Sequence, residues 1–277
     1  MTASAFTPPA DIREPYPIAA DTWVIPEVIP AGPDQVANIN SMVIAGAEPV
    51  LVDTGNLLSR REWLDAAFSI VEPGDVRWVF LSHDDHDHSG NLPAVMELCP
   101  NATLVATHFT VIRLIREMDM PLHRMRWVNP GERFDAGDRE LVAVRPPVFD
   151  SPVTRGLFDP TTGVYWAADS FAATMLEHVI DAADVPVDHW RESLLLFNRM
   201  LSPWHALTDA DKWAAHVGKA ESLGATTVAG AHTAALHGER LAEAWRLVHT
   251  LTDLPDAALL GQPDLDAILA AHLVGAD

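Results

Sequence analysis

Residues His83-Asp84-Asp85-His86-Asp87-His88 put six metal-capable side chains in succession between an apolar strand-like run, Arg77–Leu81, and a helix opened by Gly90-Asn91-Leu92-Pro93. Pinning so many ionisable groups between a buried strand and a helix start is costly unless a cation compensates them. A solvated acidic loop would not be held this way. Alternate residues of an extended segment point to the same side. His83, Asp85 and Asp87 are therefore expected to project together, with His88 following where the chain curls toward the helix. That aims His83 and Asp85 at one ion and Asp87 and His88 at a neighbour. His86 and Asp84 have the opposite phase, which suits positions behind the ligands or on the surface. Gly90 allows tight passage into the helix, and Pro93 suits its first turn.

Around this run the chain alternates between strand-like and helical patterns. Phe6–Pro17 reads as an extended lead-in. Strands are expected at Thr22–Pro26, Asn38–Ala45, Pro49–Asp53, Ala102–Ala106, Glu140–Val144, Val164–Ala168 and Thr226–Val228. Helices are expected at Ser59–Ile70, Thr110–Glu117, about Arg240–Leu251 and Leu265–Leu273. A mostly helical segment, about 171–223, carries Trp190, Phe197, Trp204 and His205 and is expected to cover the site, although most of its aromatics suit helix packing. No repeat or linker-like break interrupts residues 1–277, so one α/β domain closed by helices over 239–277 is expected.

Composition narrows the function classes. A net charge of −21 excludes the clustered Lys and Arg that nucleic acid demands, and it disfavours anionic membranes. Cys99 is the sole cysteine, so neither a disulfide framework nor a thiolate metal site is available. No apolar stretch is long enough to span a bilayer, and the first residues lack the basic start and apolar stretch of a signal peptide. A cytoplasmic location is expected.

The run resembles the His-x-His-x-Asp-His-x-Gly loop of the metallo-β-lactamase superfamily, with His83 in the first place and Asp87-His88-Ser89-Gly90 in the last four. Asp85 fills the second His place. An acidic residue there is the mark of the flavodiiron and oxygen-binding diiron branch. Val79-Phe80-Leu81-Ser82, Asn40-Ser41-Met42-Val43-Ile44 and Val50-Leu51-Val52-Asp53-Thr54-Gly55 also look like that branch. The resemblance covers Thr22 to Gly238 and implies an αββα sandwich of the metallo-β-lactamase type.

It further implies a bridging Asp, matched by Asp169 in Ala167-Ala168-Asp169-Ser170, and a closing His, matched by His232 in Gly230-Ala231-His232. The branch usually places another His before a Ser-Pro or Trp-Pro step. Here Val148-Phe149-Asp150-Ser151-Pro152 offers Asp150 instead. Either Asp150 is a ligand or the first site is incomplete. Asp53 is expected to hold the loop from behind, as His86 could. His108, His205 and His237 have no motif support.

The implied set, His83, His88 and His232 with Asp85, Asp87, Asp150 and Asp169, is rich in oxygen and negative charge. That favours two iron ions over zinc, with a Mn/Fe pair conceivable. The leading expectation is a diiron protein that binds or reduces dioxygen, peroxide or nitric oxide, or uses dioxygen on a small organic substrate. Only about two helices follow His232, so no flavin is expected in this chain, and reduction would need an external electron donor. The alternatives are a metal-dependent hydrolase of a lactone, thioester or phosphoester and a non-catalytic oxygen sensor. A homodimer is left open.

Overall fold

Each apolar strand serves two cores, because successive side chains leave a strand on opposite faces. In the computed structural model, which describes residues 11–32, 34–119 and 121–274, Val50 and Val52 face one core while Leu51 faces another. Met42 and Ile44 divide from Val43 in the same way, and Phe80 from Val79. Such double burial explains why these segments read as continuous apolar runs.

Among the described residues, a seven-stranded sheet runs in the order Met125–Trp127, Thr103–Ala106, Trp78–Phe80, Val50–Val52, Ser41–Ile44, Thr22–Ile25, Tyr16–Ala19. A six-stranded sheet runs Arg133–Asp135, Glu140–Val144, Gly156–Asp159, Val164–Trp166, Thr227–Gly230, Thr233–His237. A small third sheet joins Asp11–Ile12, Glu27–Pro30 and Val36–Asn38. The two large sheets pack face to face through Val52, Phe80, Val105, Leu141, Leu157 and Trp166. Helices Arg60–Ile70, Leu92–Leu98 and His108–Leu114 cover the outer face of the first sheet. Helices Val187–Leu201, Ala210–Glu221 and Gly238–His249 cover that of the second. The layers are αββα, as expected.

Three expectations need correction. Asn38–Ala45 is two strands, Val36–Asn38 and Ser41–Ile44, in different sheets. The chain breaks between them, where Ile39 pairs back to Glu27 and the Asn40 amide donates to the Ala231 carbonyl. The stretch from 171 to 181 is not helical. It is tied to both neighbours by bridges, Val36 to Met175 and Asp181 to Ala235, and after a short 3-10 turn at Ala182–Asp184 the α-helix begins at Val187. Strands Gly156–Asp159 and Thr233–His237 were not anticipated. They are short, and the second reads Thr-Ala-Ala-Leu-His, whose alanines favour helix until neighbouring strands supply a ladder. Residues 6–10 of the expected lead-in lie outside the described residues.

Strands Val50–Val52 and Trp78–Phe80 are parallel, as are Val164–Trp166 and Thr227–Gly230. Glu140–Val144 runs the same way as the latter pair, being two antiparallel steps from Val164–Trp166. The loops that carry all the candidate ligands follow the C-terminal ends of these strands. Fully burying each aliphatic side chain here contributes about 1.5–3 kcal/mol, so the supports of the site are among the firmest elements.

Candidate metal centre

Strand Trp78–Phe80 delivers Leu81, Ser82 and His83, and then the loop turns differently from the expected extended ribbon. Asp85 is the last extended residue (φ −65°, ψ 148°), and His86–Ser89 form one helical turn. Asp87 and His88 thus reach the site from a helix start rather than by strand alternation. Adjacent helical residues diverge by about 100° around the axis, which still lets both aim at one point from the turn's first residues. The turn packs so tightly on Asp53-Thr54-Gly55 that a Cβ at Gly90 would meet the Leu57 backbone nitrogen and, at 2.6 Å, the His86 carbonyl.

The donors converge in two sets. Around the first lie His83, Asp85 and Asp150, with His83 Nε2 3.8 Å from Asp85 Oδ2 and 3.8 Å from Asp150 Oδ2. Around the second lie Asp87, His88 and His232, with Asp87 Oδ2 3.4 Å from His88 Nε2 and 3.3 Å from His232 Nε2. Asp169 stands between them. Its Oδ2 is 3.2 Å from His83 Nε2, and its Oδ1 is 3.1 Å from His88 Nε2 and 3.4 Å from His232 Nε2. Two donors each about 2.1 Å from one ion and about 90–110° apart would be about 3.0–3.4 Å from each other. The second set and the Asp169 contacts match that spacing, and the first set is wider.

Hydrogen accounting shows what the three imidazoles present. His232 Nδ1 donates to the Asn38 carbonyl at 2.7 Å, which can only accept. His88 Nδ1 donates to Asp53 Oδ2 at 3.0 Å. The Ser82 hydroxyl donates to the same Asp53 oxygen at 2.8 Å, leaving its own oxygen to accept from His83 Nδ1 at 3.0 Å. With a proton on Nδ1 of each ring, each Nε2 is left directed at the carboxylates, where a proton or a metal ion must separate nitrogen from oxygen. His83 Nε2, His88 Nε2 and Asp169 Oδ1 are buried and have no hydrogen-bond partner among the described residues. A cation is what such an arrangement accommodates, so the residues fit a pair of metal ions.

The electrostatics have the same origin. Burial alone would raise the Asp169 carboxyl, but the adjacent imidazoles of His83 and His88 hold it well below the usual range. Asp87 is lowered likewise against burial, by His88 and His232. Burial pushes His88 down, and Asp87, Asp169 and Asp53 outweigh it to hold the imidazole well above its ordinary value. His232 is also raised against burial, by Asp87 and Asp169. His83 is raised by Asp169 and Asp150 against burial and His88. The Asp85 carboxyl is raised by burial and, next to Asp150, by a shared hydrogen bond and like charge.

The backbone is bent to suit. Asp53, Ala168 and Phe171 have left-handed φ values of 59°, 50° and 66°, a conformation that costs non-glycine residues of order 1–3 kcal/mol each. Ala168 accepts the Ala231 amide at 2.8 Å, clamping the Asp169 loop to the His232 loop. A Cβ at Gly230 would stand 2.6 Å from that same Ala168 carbonyl.

Asp53, fully buried, also accepts the Ser82 amide at 2.7 Å and the Trp166 indole at 3.1 Å. His86, in contrast, is exposed and lies outside the buried network, on the surface side of its two expected positions. Asp84 pairs with Arg113 at 2.9 Å. His205 is a buried core residue donating to the Ser202 carbonyl, and His237 pairs at the surface with Asp181. His108 is exposed beside Trp127. Of the covering segment's aromatics, Trp190 is core, and Phe197 stacks on His232 with centroids 5.8 Å apart. Sequence reasoning missed Ser82 and Asn38. Ser82 precedes the run and could have been found there, but Asn38 acts through its carbonyl and leaves no side-chain signal.

This αββα sandwich, with donor loops gathered at one edge, is the frame of a metallo-β-lactamase-like protein with a dinuclear site. The profile described as ODP family beta lactamase matches residues 36–222, and the chain belongs to that family. A putative diflavin flavoprotein of Nostoc sp. is 29% identical over 133 residues, 48% of this chain and 23% of its own length. The anaerobic nitric oxide reductase flavorubredoxin of Vibrio vulnificus is 23% identical over 173 residues, 62% of this chain and 35% of its own. The chain thus spans about a quarter to a third of these curated relatives. Among solved structures, the flavodiiron core from Synechocystis superposes with a TM-score of 0.73 at 18% identity, covering 89% of this chain and 62% of that one. The rubredoxin oxygen:oxidoreductase of Desulfovibrio gigas gives 0.72 at 16%, covering 87% and 62%. At such identities the likeness is one of fold. No helix among the described residues is long and apolar enough to cross a membrane.

Proposed function

We propose that the chain holds two iron ions and uses them to bind or reduce a small oxidant such as dioxygen, peroxide or nitric oxide, with electrons from a separate donor. The observation that carries this reading is the donor chemistry: four carboxylates and three imidazoles around two adjacent positions, with Asp169 facing both. His83, Asp85, Asp150 and Asp169 would hold one ion, and Asp87, His88, His232 and Asp169 the other. Oxygen-rich, anionic donors suit hard ions better than zinc, and four carboxylates balance the charge of two divalent ions. The relatives named for nitric oxide and oxygen reduction support the choice of substrate.

When bound, such a pair supplies redox and Lewis-acid chemistry. The chain's own part is to hold and orient. Asp53, Ser82 and Asn38 fix each imidazole with Nε2 inward. Phe197 stacks on the His232 ring and helps fix its plane. Phe197 also lines a cavity of about 410 Å³ together with Thr174, Ser193, Leu196 and Met200.

The test is metal content together with activity. Protein from iron-supplemented medium should carry about two irons per chain and consume dioxygen or nitric oxide when given a reductant. Zinc alone, with turnover of a lactone or phosphodiester, would replace this reading with the hydrolase. Iron without consumption would replace it with a non-catalytic binding protein.

A further inference from the structure

On the far side of the second sheet, a pocket of about 360 Å³ lies between strand Glu140–Val144 and helix Ala210–Glu221. Its wall is apolar, formed by Val142, Val144 and Leu223, and its ionisable lining residues are Arg145, His216 and Lys219, with no carboxylate among them. In a chain with 39 acidic and 18 basic residues, that sign is against the general field. Neither Arg145 nor Lys219 has an ion-pair partner among the described residues.

A second cation stands behind the first. The register Val142 to Phe158, Ala143 to Leu157 and Val144 to Gly156 brings Arg145 opposite Arg155, one step past the last pair. Like charges opposed across antiparallel strands are destabilising. Arg155 is 6% exposed, its guanidinium donates to the Pro152 and Thr154 carbonyls, and its Nε has no partner among the described residues. Burial, and then Arg145, push its guanidinium down to about 10.

We propose that this pocket binds a small amphiphilic anion, with a carboxylate or phosphate head on Arg145 and Lys219, beside the His216 ring, and an apolar body along Val142, Val144 and Leu223. An anion there offsets the opposed guanidinium charges, which no carboxylate does. The pocket also adjoins the Asp150 loop, because His216 Nε2 donates to the Pro146 and Pro147 carbonyls at 3.1 and 3.2 Å and Arg145 covers the Phe149 ring.

The experiment is a titration of the full chain with benzoate, phenyl phosphate, inorganic phosphate and neutral benzamide, followed by the His216 ring resonances and by calorimetry. Benzoate or phenyl phosphate should shift His216 and bind at least tenfold more tightly than benzamide. Whichever of the two binds more tightly identifies the head group. Arg145→Gln and Lys219→Gln, both exposed positions, should each weaken that binding by about threefold to tenfold without unfolding the chain. Benzamide binding as well as the anions would overturn the charge assignment. Inorganic phosphate binding as tightly as phenyl phosphate would overturn the amphiphile. No shift of His216 with any probe at about 10 mM would overturn the site. None of these outcomes depends on metal content or redox activity.

Discussion

Asp53 Oδ2 lies 3.0 Å from His88 Nδ1, and that one oxygen also receives the Ser82 hydroxyl and the Trp166 indole. An amide at this place would present a donor to three donors. In Asp53→Asn the amide nitrogen would turn His88 into an acceptor at Nδ1 and move its proton to Nε2, the atom that faces the metal position. Metal affinity should fall by about 10–100-fold. Competition against a chromophoric chelator measures it, and an unchanged affinity would show that Asp53 does not set the tautomer.

Asp169 and Asp150 should differ in how many ions they cost. Asp169 has one oxygen toward each donor set, so Asp169→Ala should deplete both positions. Among the candidate ligands Asp150 approaches His83 and Asp85, its other oxygen accepting the Thr154 hydroxyl at 3.0 Å, so Asp150→Ala should deplete one. Elemental analysis of the two variants beside the parent chain separates the cases. Equal stoichiometry in Asp150→Ala and the parent would remove Asp150 from the ligand set.

Without metal, stability should depend on pH in a defined sense. His83, His88 and His232 are raised in the folded chain, so their contribution is full below about pH 6.5 and is lost as pH rises through the raised values. Asp87 and Asp169 are lowered, so theirs is present above about pH 3.9 and is lost as pH falls toward their folded values. Chelator-treated protein should therefore be most stable in mild acid and lose Tm toward alkaline pH. Metal replaces the protons, so the loaded protein should not show the alkaline loss, and loading should release protons. Thermal melts across pH with and without chelator check the sign.

Gly230→Ala tests the clamp between the Asp169 and His232 loops. The added methyl would crowd the Ala168 carbonyl, in a left-handed residue that has little room to move. A loss of about 1–3 kcal/mol is expected, with metal lost from the position that His232 serves. Denaturant melts of the metal-free variant isolate the strain from the metal effect.

Much of the site was legible because its parts are neighbours in sequence. His83, Asp85, Asp87 and His88 declare themselves as a group, although the route was misread: Asp87 arrives from a helical turn, because Ser89 and Gly90 fold back to Asp85 and Gly55. Asp169, His232 and Asp150 each look ordinary alone, and only resemblance singled them out. Asn38 could not be read at all, since any residue supplies a carbonyl. Alternating strand-like and helical patterns indicated an α/β domain, whereas the αββα layers came only with the resemblance; doubly apolar strands such as Val50-Leu51-Val52 are what those layers require. Thr233–His237 stayed hidden because its pairing, not its composition, makes it a strand.

Asp53, His83, Asp85, Asp87 and His88 hang from the first large sheet, and Asp150, Asp169 and His232 from the second. Each donor set therefore straddles the seam between the layers. Ions seated there would act as rivets, so that neither sheet could slide or open without breaking coordination bonds. Hydrogen exchange should then show both sheets exchanging together in loaded protein and at separate rates after chelation, making the centre a determinant of mechanical unity as well as of chemistry.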